Sequence, residues 1–324
     1  MVVAEFLAQE GVLLDVRSPK EYDHGHIPGA LSLPLFSDEE RHEVGICYKQ
    51  KGKKEAIELG VKLVGPKLGC LLQQAKALLV NSTCAKVYCW RGGMRSGFVS
   101  WFLNFAGYPT QVLPKGYKAW RHFAGELFQK NFQFSVIGGF TGSGKTKVLQ
   151  TLKSVHQIID LESLANHKGS AFGLNPQEYQ PTQEQFENEL AYSLHSLDFS
   201  RPIWVEDESR NIGSCQIPKT LFDMIKKAPL YFLEESEEVR LENILADYGT
   251  LPRDFLLTCA KKVERRLGSE RCQEACKAIE NNDLKAAAKI LLGYYDATYS
   301  HCLENYVRSI TKLSKESLLR RLLC

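Results

Sequence analysis

The chain has 324 residues, 44% hydrophobic and 24% charged, with a formal net charge of +3 at pH 7. This is the composition of a globular protein of about two domains, and it excludes a fibre, a disordered tail or a strongly basic nucleic-acid coat. No apolar run reaches the roughly eighteen residues of a membrane span, and Glu5 lies in an N-terminal stretch without the basic flank of a leader, so the expectations are no membrane and a cytoplasmic location.

VLLDV (12–16) predicts a short strand, and SPKEYDHGHIPGA (18–30) is dense in turn and cap residues. KVYC (86–89) predicts a second strand, SGFVSWFLNFAG (96–107) a helix ending at a glycine, TQVLP (110–114) a third strand and KGYKAWRHF (115–123) a turn into a helix. A boundary falls in AGELFQKNF (124–132). FQFSVIGG then opens a second series, with strands at QIID (157–160), PIWVED (202–207) and PLYFLEE (229–235) and helical patterns at 145–153, 183–197, 237–246 and 253–266. From 270 onward nearly everything reads as helix. The expected fold class is α/β, with a parallel-sheet domain over 1–128 and a phosphate-loop α/β domain with a helical C-terminal part over 129–324.

GGFTGSGKT (138–146) carries G-x-x-x-x-G-K-T between a strand and a helix, the context this motif requires. Gly139, Thr141, Gly142, Ser143 and Gly144 supply inward-turned N–H groups, Lys145 reaches terminal phosphates, and the Thr146 hydroxyl can ligate magnesium. Acids ending neighbouring strands are the candidate magnesium partners: Asp160, Glu206 and Asp207, with Glu208 beside them.

YCWRGGMRSG (88–97) sets Cys89 at a strand end before a donor-rich loop, with Arg91 inside it and Arg95 at its far side. The residues leave three readings open: a sulfur or selenium carrier, a phosphate-ester nucleophile, or a buried thiol. Such a setting favours the thiolate and so a lowered pKa. The ten cysteines show neither a Cys-x-x-Cys pair nor zinc spacing; Cys47, Cys70 and Cys84 read as inert, and Cys272 and Cys276 as packing residues on one helix.

DVRSPKEYDHGHIPGALSLP (15–34) and KGYKAW (115–120) resemble the opening and closing segments of the rhodanese family, which implies a catalytic Cys89. The Cys-x5-Arg spacing is one residue longer than the usual sulfurtransferase loop and is shared with dual-specificity phosphatases, although Tyr88 stands where those carry His. Such a loop suits a phosphate-sized head group. Together with VGICYKQKG (44–52), IDLESLANHKGSAFG (159–173), WVEDESRNIG (204–213), ERRLG (264–268) and YYDATY (294–299), the chain resembles the tRNA 2-selenouridine synthase family. The segment between Tyr248 and ERRLG is short beside that family's pattern.

The resemblance implies a transferase that replaces the 2-thio sulfur of a wobble 2-thiouridine in tRNA with selenium from selenophosphate, by way of S-geranylation with geranyl diphosphate. Neither step requires ATP or GTP. The implied partners are tRNA, not DNA, and an enzyme supplying selenophosphate. Candidate RNA contacts are Lys49, Lys51, Lys53 and Lys54, and Lys261, Lys262, Arg265 and Arg266. Tyr48, Trp90 and Arg91 are candidates to stack on an extruded base, and AFGLNP (171–176) is the candidate lining of a geranyl pocket. The competing readings are a rhodanese-like phosphatase or sulfurtransferase fused to a small-molecule kinase, and a persulfide sensor whose nucleotide-binding half acts as a switch.

Overall fold

The computed structural model describes residues 3–80, 82, 84–169, 179–304 and 308–323. The chain divides into two units, Met1–Leu127 and Phe128–Cys324.

In the first unit four strands form one parallel sheet: β1 (Val12–Asp15), β2 (Leu31–Ser32), β3 (Ala85–Tyr88) and β4 (Thr110–Val112), in the order β2-β1-β3-β4. Parallel pairing needs crossovers, and helices at Asp38–Gln50, Lys53–Val64, Leu68–Leu78 and Met94–Phe105 supply them. Leu14, Val16, Val87, Val99 and Leu103 are buried completely between sheet and helices. That core holds the carboxyl ends of β1 and β3 side by side, where open α/β sheets bind ligands.

The second unit has a five-stranded parallel sheet and a two-stranded antiparallel hairpin. Its strands are β5 (Phe134–Gly139), β6 (Gln157–Ile159), β7 (Ile203–Glu206), the hairpin pair β8 (Asn211–Ile212) and β9 (Cys215–Gln216), β10 (Leu230–Leu233) and β11 (Ile310–Leu313). The large sheet runs β11-β10-β5-β7-β6. The helix Lys145–Leu152 packs on it through Val148, Leu149 and Leu152, joined by Leu318 of the helix Lys315–Leu323. Helices Glu237–Tyr248, Arg253–Lys262, Glu264–Leu267, Ser269–Glu280 and Leu284–Glu304 form a helical lobe with its own core, in which Cys259 and Ala275 are fully buried.

Two sequence expectations change. The region after 270 is not all helix: Ile310 and Thr311, β-branched residues that fit a pleated surface, pair in parallel with Leu230 and Tyr231 and make β11 the sheet edge. The helical pattern over 253–266 is two helices, the first capped at Val263. Among the described residues no helix is long and apolar enough to cross a membrane.

Candidate active sites

In the first unit Cys89 directly follows β3 and is buried, 4% exposed. Its Sγ lies 3.2 Å from Ser96 Oγ, in the first turn of Met94–Phe105, and Ser96 Oγ also lies 3.2 Å from Gly93 O. Burial raises the Cys89 thiol pKa. The Ser96 hydroxyl and backbone, the charge of Arg95 and the Arg91 backbone more than offset it, leaving the pKa below the ordinary cysteine value. The loop is locked from outside by the KGYKAW segment: Tyr117 N donates to Cys89 O at 2.9 Å and Lys118 N to Trp90 O at 3.0 Å. Only glycine fits at 116, where φ is +56° and a Cβ would stand 2.1 Å from Cys89 O.

Arg95 closes the far side as a clamped group. Its Nη1 and Nη2 donate to Glu21 Oε2 and Oε1 at 2.6 and 3.2 Å. Glu21 also caps its own helix, accepting from Ser18 N at 3.1 Å. Burial raises the Glu21 pKa, but the Arg95 hydrogen bonds and charge, with Ser18 and Arg41, hold it below the usual carboxylate value. Next to this, Asp15 accepts from Arg17 Nη2 at 2.6 Å, and the Arg17 guanidinium lies 3.8 Å from the Tyr117 ring. The Asp-Val-Arg motif is thus a buried ion pair bracing the loop's floor. Arg91 is exposed, and Trp90 is 38% exposed with its ring centroid 5.7 Å from that of Tyr117.

In the second unit the phosphate loop joins β5 to Lys145–Leu152. Lys145 Nζ donates to Gly139 O at 2.9 Å. Thr146 Oγ1 donates to Glu206 Oε2 at 3.3 Å. Ser143 is buried, and its Oγ has no hydrogen-bond partner. The loop is braced by the helix Glu237–Tyr248: Arg240 Nε donates to Thr141 O and Asn243 Nδ2 to Gly142 O, both at 2.9 Å. Gly142, at φ +82°, leaves no room for a Cβ, which would stand 2.5 Å from Arg240 O. Arg240 is itself held by Asp296 of YYDATY, through bonds of 2.9 and 2.6 Å.

The acids at the strand ends separate sharply. Glu206 comes together with Glu162 and Glu208, one oxygen of each lying within 4.8 Å of the others. Burial first, then repulsion from Glu208, pushes Glu162 up to about 9 and Glu206 up to about 8 despite the pull of Lys145. Burial also raises the Glu208 pKa, against the pull of Lys145 and Lys226 and the hydrogen bond with Glu162, with repulsion from Asp207 adding to the rise. Asp207 turns away: Lys226 Nζ and Arg308 Nη2 each lie 2.8 Å from its Oδ1, and Tyr299 OH donates to Oδ2 at 2.6 Å. It is a buried structural anion with a lowered pKa, since these partners outweigh burial. Asp160 caps the helix Leu161–Ala165 by accepting from Ser163 N, and also accepts from Gln150 Nε2. Neither is in the carboxylate group. Glu162 lies outside the sequence expectation of magnesium partners, although it stands in the IDLESLANHKGSAFG motif; its signal is its place in the first turn of the short helix capped by the strand-end acid Asp160.

Lys49, Lys51, Lys53 and Lys54 are exposed in the first unit, as are Lys261, Lys262, Arg265 and Arg266 in the second. Arg266 Nη1 donates to Tyr294 OH at 3.4 Å. Tyr48 is 49% exposed. AFGLNP (171–176) lies outside the described residues.

Comparison with known proteins agrees with both halves of this geometry. Residues 2–123 match the rhodanese-like domain, and residues 132–322 match the tRNA 2-selenouridine synthase AAA domain. The chain is 36% identical to a tRNA 2-selenouridine synthase of Marinobacter nauticus, over 90% of this chain and 88% of that protein. It is 34% identical to one of Shewanella denitrificans over 93% and 90%, and 44% identical to one of Cupriavidus necator over 73% and 65%. A solved N-terminal domain from Clostridium difficile 630 is 40% identical, covering 38% of this chain and 96% of that one, at a TM-score of 0.37. A domain match over most of the second unit and relatives alike over about nine tenths of its length lead to one conclusion: the chain belongs to the tRNA 2-selenouridine synthase family.

Proposed function

We propose that the protein is a tRNA-modifying transferase that replaces the sulfur of a wobble 2-thiouridine with selenium, dividing the work between its two sites. The observation that carries this reading is the union, in one chain of this family, of an activated thiol at a strand end with a lysine-bearing phosphate loop beside three carboxylates.

The phosphate loop binds the diphosphate of geranyl diphosphate. The 2-thio sulfur attacks C1 of the geranyl chain, a C–S bond forms, the C–O bond breaks, pyrophosphate leaves and the base gives up its N3 proton. Lys145 and the loop N–H groups stabilise charge growing on the leaving group. The site also fits magnesium: Glu206 Oε1 is buried without a hydrogen-bond partner, and the surrounding donors are hard oxygens. Thr146, Glu206, Glu162 and Glu208 would hold the ion, which supplies positive charge against the diphosphate.

At the other site the Cys89 thiolate attacks the phosphorus of selenophosphate. An S–P bond forms, the Se–P bond breaks and hydroselenide leaves. Hydroselenide then adds at C2 of the S-geranyl base and geranylthiol departs, while water hydrolyses the phosphocysteine to free thiol and phosphate. Arg95, held by Glu21, faces the anionic head. Neither step consumes ATP or GTP. Selenophosphate must come from a separate enzyme. The two exposed basic sets and the Tyr48, Trp90 and Arg91 side chains are the RNA contacts of this reading.

The test is mass spectrometry of nucleosides from 2-thiouridine tRNA incubated with the protein, geranyl diphosphate and selenophosphate. Lys145→Ala is expected to abolish geranylation, and Cys89→Ala to block selenation while geranylated nucleoside accumulates. Loss of geranylation in Cys89→Ala would refute the division of labour.

A further inference from the structure

The helix Met94–Phe105 starts in the Cys89 loop and turns two large aromatic side chains outward: Trp101 is 61% and Phe105 81% exposed. Its other face is buried through Val99 and Leu103. Contiguous exposed apolar surface of this kind marks an interaction site. Gly97, Trp101 and Phe105 recur every four residues, so they fall in one row along the helix. The Trp101 and Phe105 ring centroids lie 6.1 Å apart with planes 22° from parallel, and Phe98 adds a third ring 5.9 Å from that of Trp101. Over Gly97 the surface is open, since a Cβ there would meet nothing within 4 Å. The row thus runs from an open shelf to a pair of stacked rings. The shelf adjoins Ser96, whose Oγ lies 3.2 Å from the Cys89 sulfur.

The sequence around this row is free of acids. Between Glu58 and Glu126 it contains no aspartate or glutamate, while lysine and arginine occur nine times. That span includes the Cys89 loop with its exposed Arg91, and the edge strand β4, whose Thr110 is hydrogen-bonded to Ser100 and Asn104. It also includes the helix Leu68–Leu78, which shares the core of Met94–Phe105 through Leu71 and Ala75. Outward rings among cations without acids fit a polyanion that has π faces of its own, which is single-stranded nucleic acid. Rings stack on bases of any sequence, and cations hold the phosphates. A second copy of the chain fits poorly, because two such faces would bring like charges together. A duplex fits poorly as well, because its bases already stack on each other.

We infer that this helix face is a stacking platform for unpaired bases of the RNA, which rests on the reading of the substrate as a thiouridine in tRNA. The wobble base reaches the thiol over the Gly97 shelf while a neighbouring loop base stacks on Trp101 and Phe105.

The experiment is a fluorescence-anisotropy titration of the full chain with two RNAs: an anticodon stem-loop carrying 2-thiouridine at the wobble position, and a fully paired RNA of the same length. Joint Trp101→Ala and Phe105→Ala substitution is expected to weaken stem-loop binding about tenfold or more. Affinity for the paired RNA and the salt dependence of stem-loop binding stay unchanged, because stacking is lost and phosphate contacts are kept. Trp101→Phe retains most of the stem-loop affinity. Gly97→Leu, for which the fold has room, weakens stem-loop binding in the same selective way. Melting temperatures equal to that of the wild type report that the variants are folded. No stem-loop binding by the wild type, unchanged affinity in the double variant, or an equal loss for the paired RNA overturns the assignment. So does a wild-type dimer that the double variant dissolves without losing RNA affinity, which would make the face a contact between copies. Nucleosides are scored separately: selective stem-loop binding without selenation by the wild type would sink the reaction proposed above and leave the platform assigned.

Discussion

Arg95 and Glu21 meet through two hydrogen bonds, of 2.6 and 3.2 Å, so the guanidinium whose charge reaches the Cys89 thiol is fixed by an acid from the unit's first helical turn after β1. Positive charge at that loop is positioned, not merely present. Glu21→Gln is expected to lower selenation about tenfold or more while leaving geranylation intact. The same change reads out in stability. The folded-state Glu21 pKa is depressed, so its contribution is present above the ordinary glutamate value, near 4.3, and is lost as pH falls through the folded value. Thermal melts of wild type and Glu21→Gln should therefore differ at pH 7 and converge in acid.

Ser96 supplies the hydroxyl nearest the Cys89 sulfur. Removing it in Ser96→Ala takes away a stabiliser of the thiolate, so the thiol pKa rises. Iodoacetamide labelling of Cys89 should slow at neutral pH and its pH profile should move upward, with the fold unchanged. An unmoved profile would mean that the Arg95 charge and the loop backbone set the thiol's acidity without the hydroxyl.

Glu206 and Asp207 are adjacent but do opposite things. Asp207→Asn leaves Lys226 and Arg308 facing each other without their anion and should destabilise the second unit by about 3–5 kcal/mol in denaturant melts. Glu206→Gln should instead raise the melting temperature without magnesium, by removing a buried acid whose pKa burial and then Glu208 push up to about 8, and abolish the further rise expected of the wild type with magnesium.

Gly116→Ala forces a methyl against Cys89 O from a left-handed backbone position. The expected cost is about 3 kcal/mol or more in the first unit's unfolding, with Cys89 labelling altered even in the folded fraction. Full stability in this variant would show that the two loops do not depend on each other.

The elements that carry chemistry were legible because their signals are local. A glycine-rich loop between a strand and a helix, or a cysteine ending an apolar strand, is written in a few consecutive residues. What was not legible depended on partners distant in sequence. Nothing near Arg95 names Glu21, and nothing near Arg240 names Asp296. The pair Glu206 and Asp207 shows the limit most plainly. Successive residues at a strand end point to opposite sides, so the sequence placed an acid by the loop without saying which one. β11 was hidden for another reason: four residues flanked by helices carry little periodicity, and only pairing with β10 makes them a strand.

That edge strand has a consequence for biosynthesis. β10 hydrogen-bonds to β5 on one side and to β11 on the other, and Leu318, just beyond β11, packs with Val148 and Leu149 of the helix that follows the phosphate loop. The ribosome makes the phosphate loop early in this unit and the residues that complete its support at the end. A nascent chain can finish the thiol-bearing unit while the rest is still being translated, but its phosphate loop remains without its full backing until Leu318 has emerged. The order of translation therefore completes the support of the phosphate loop after that of the cysteine loop.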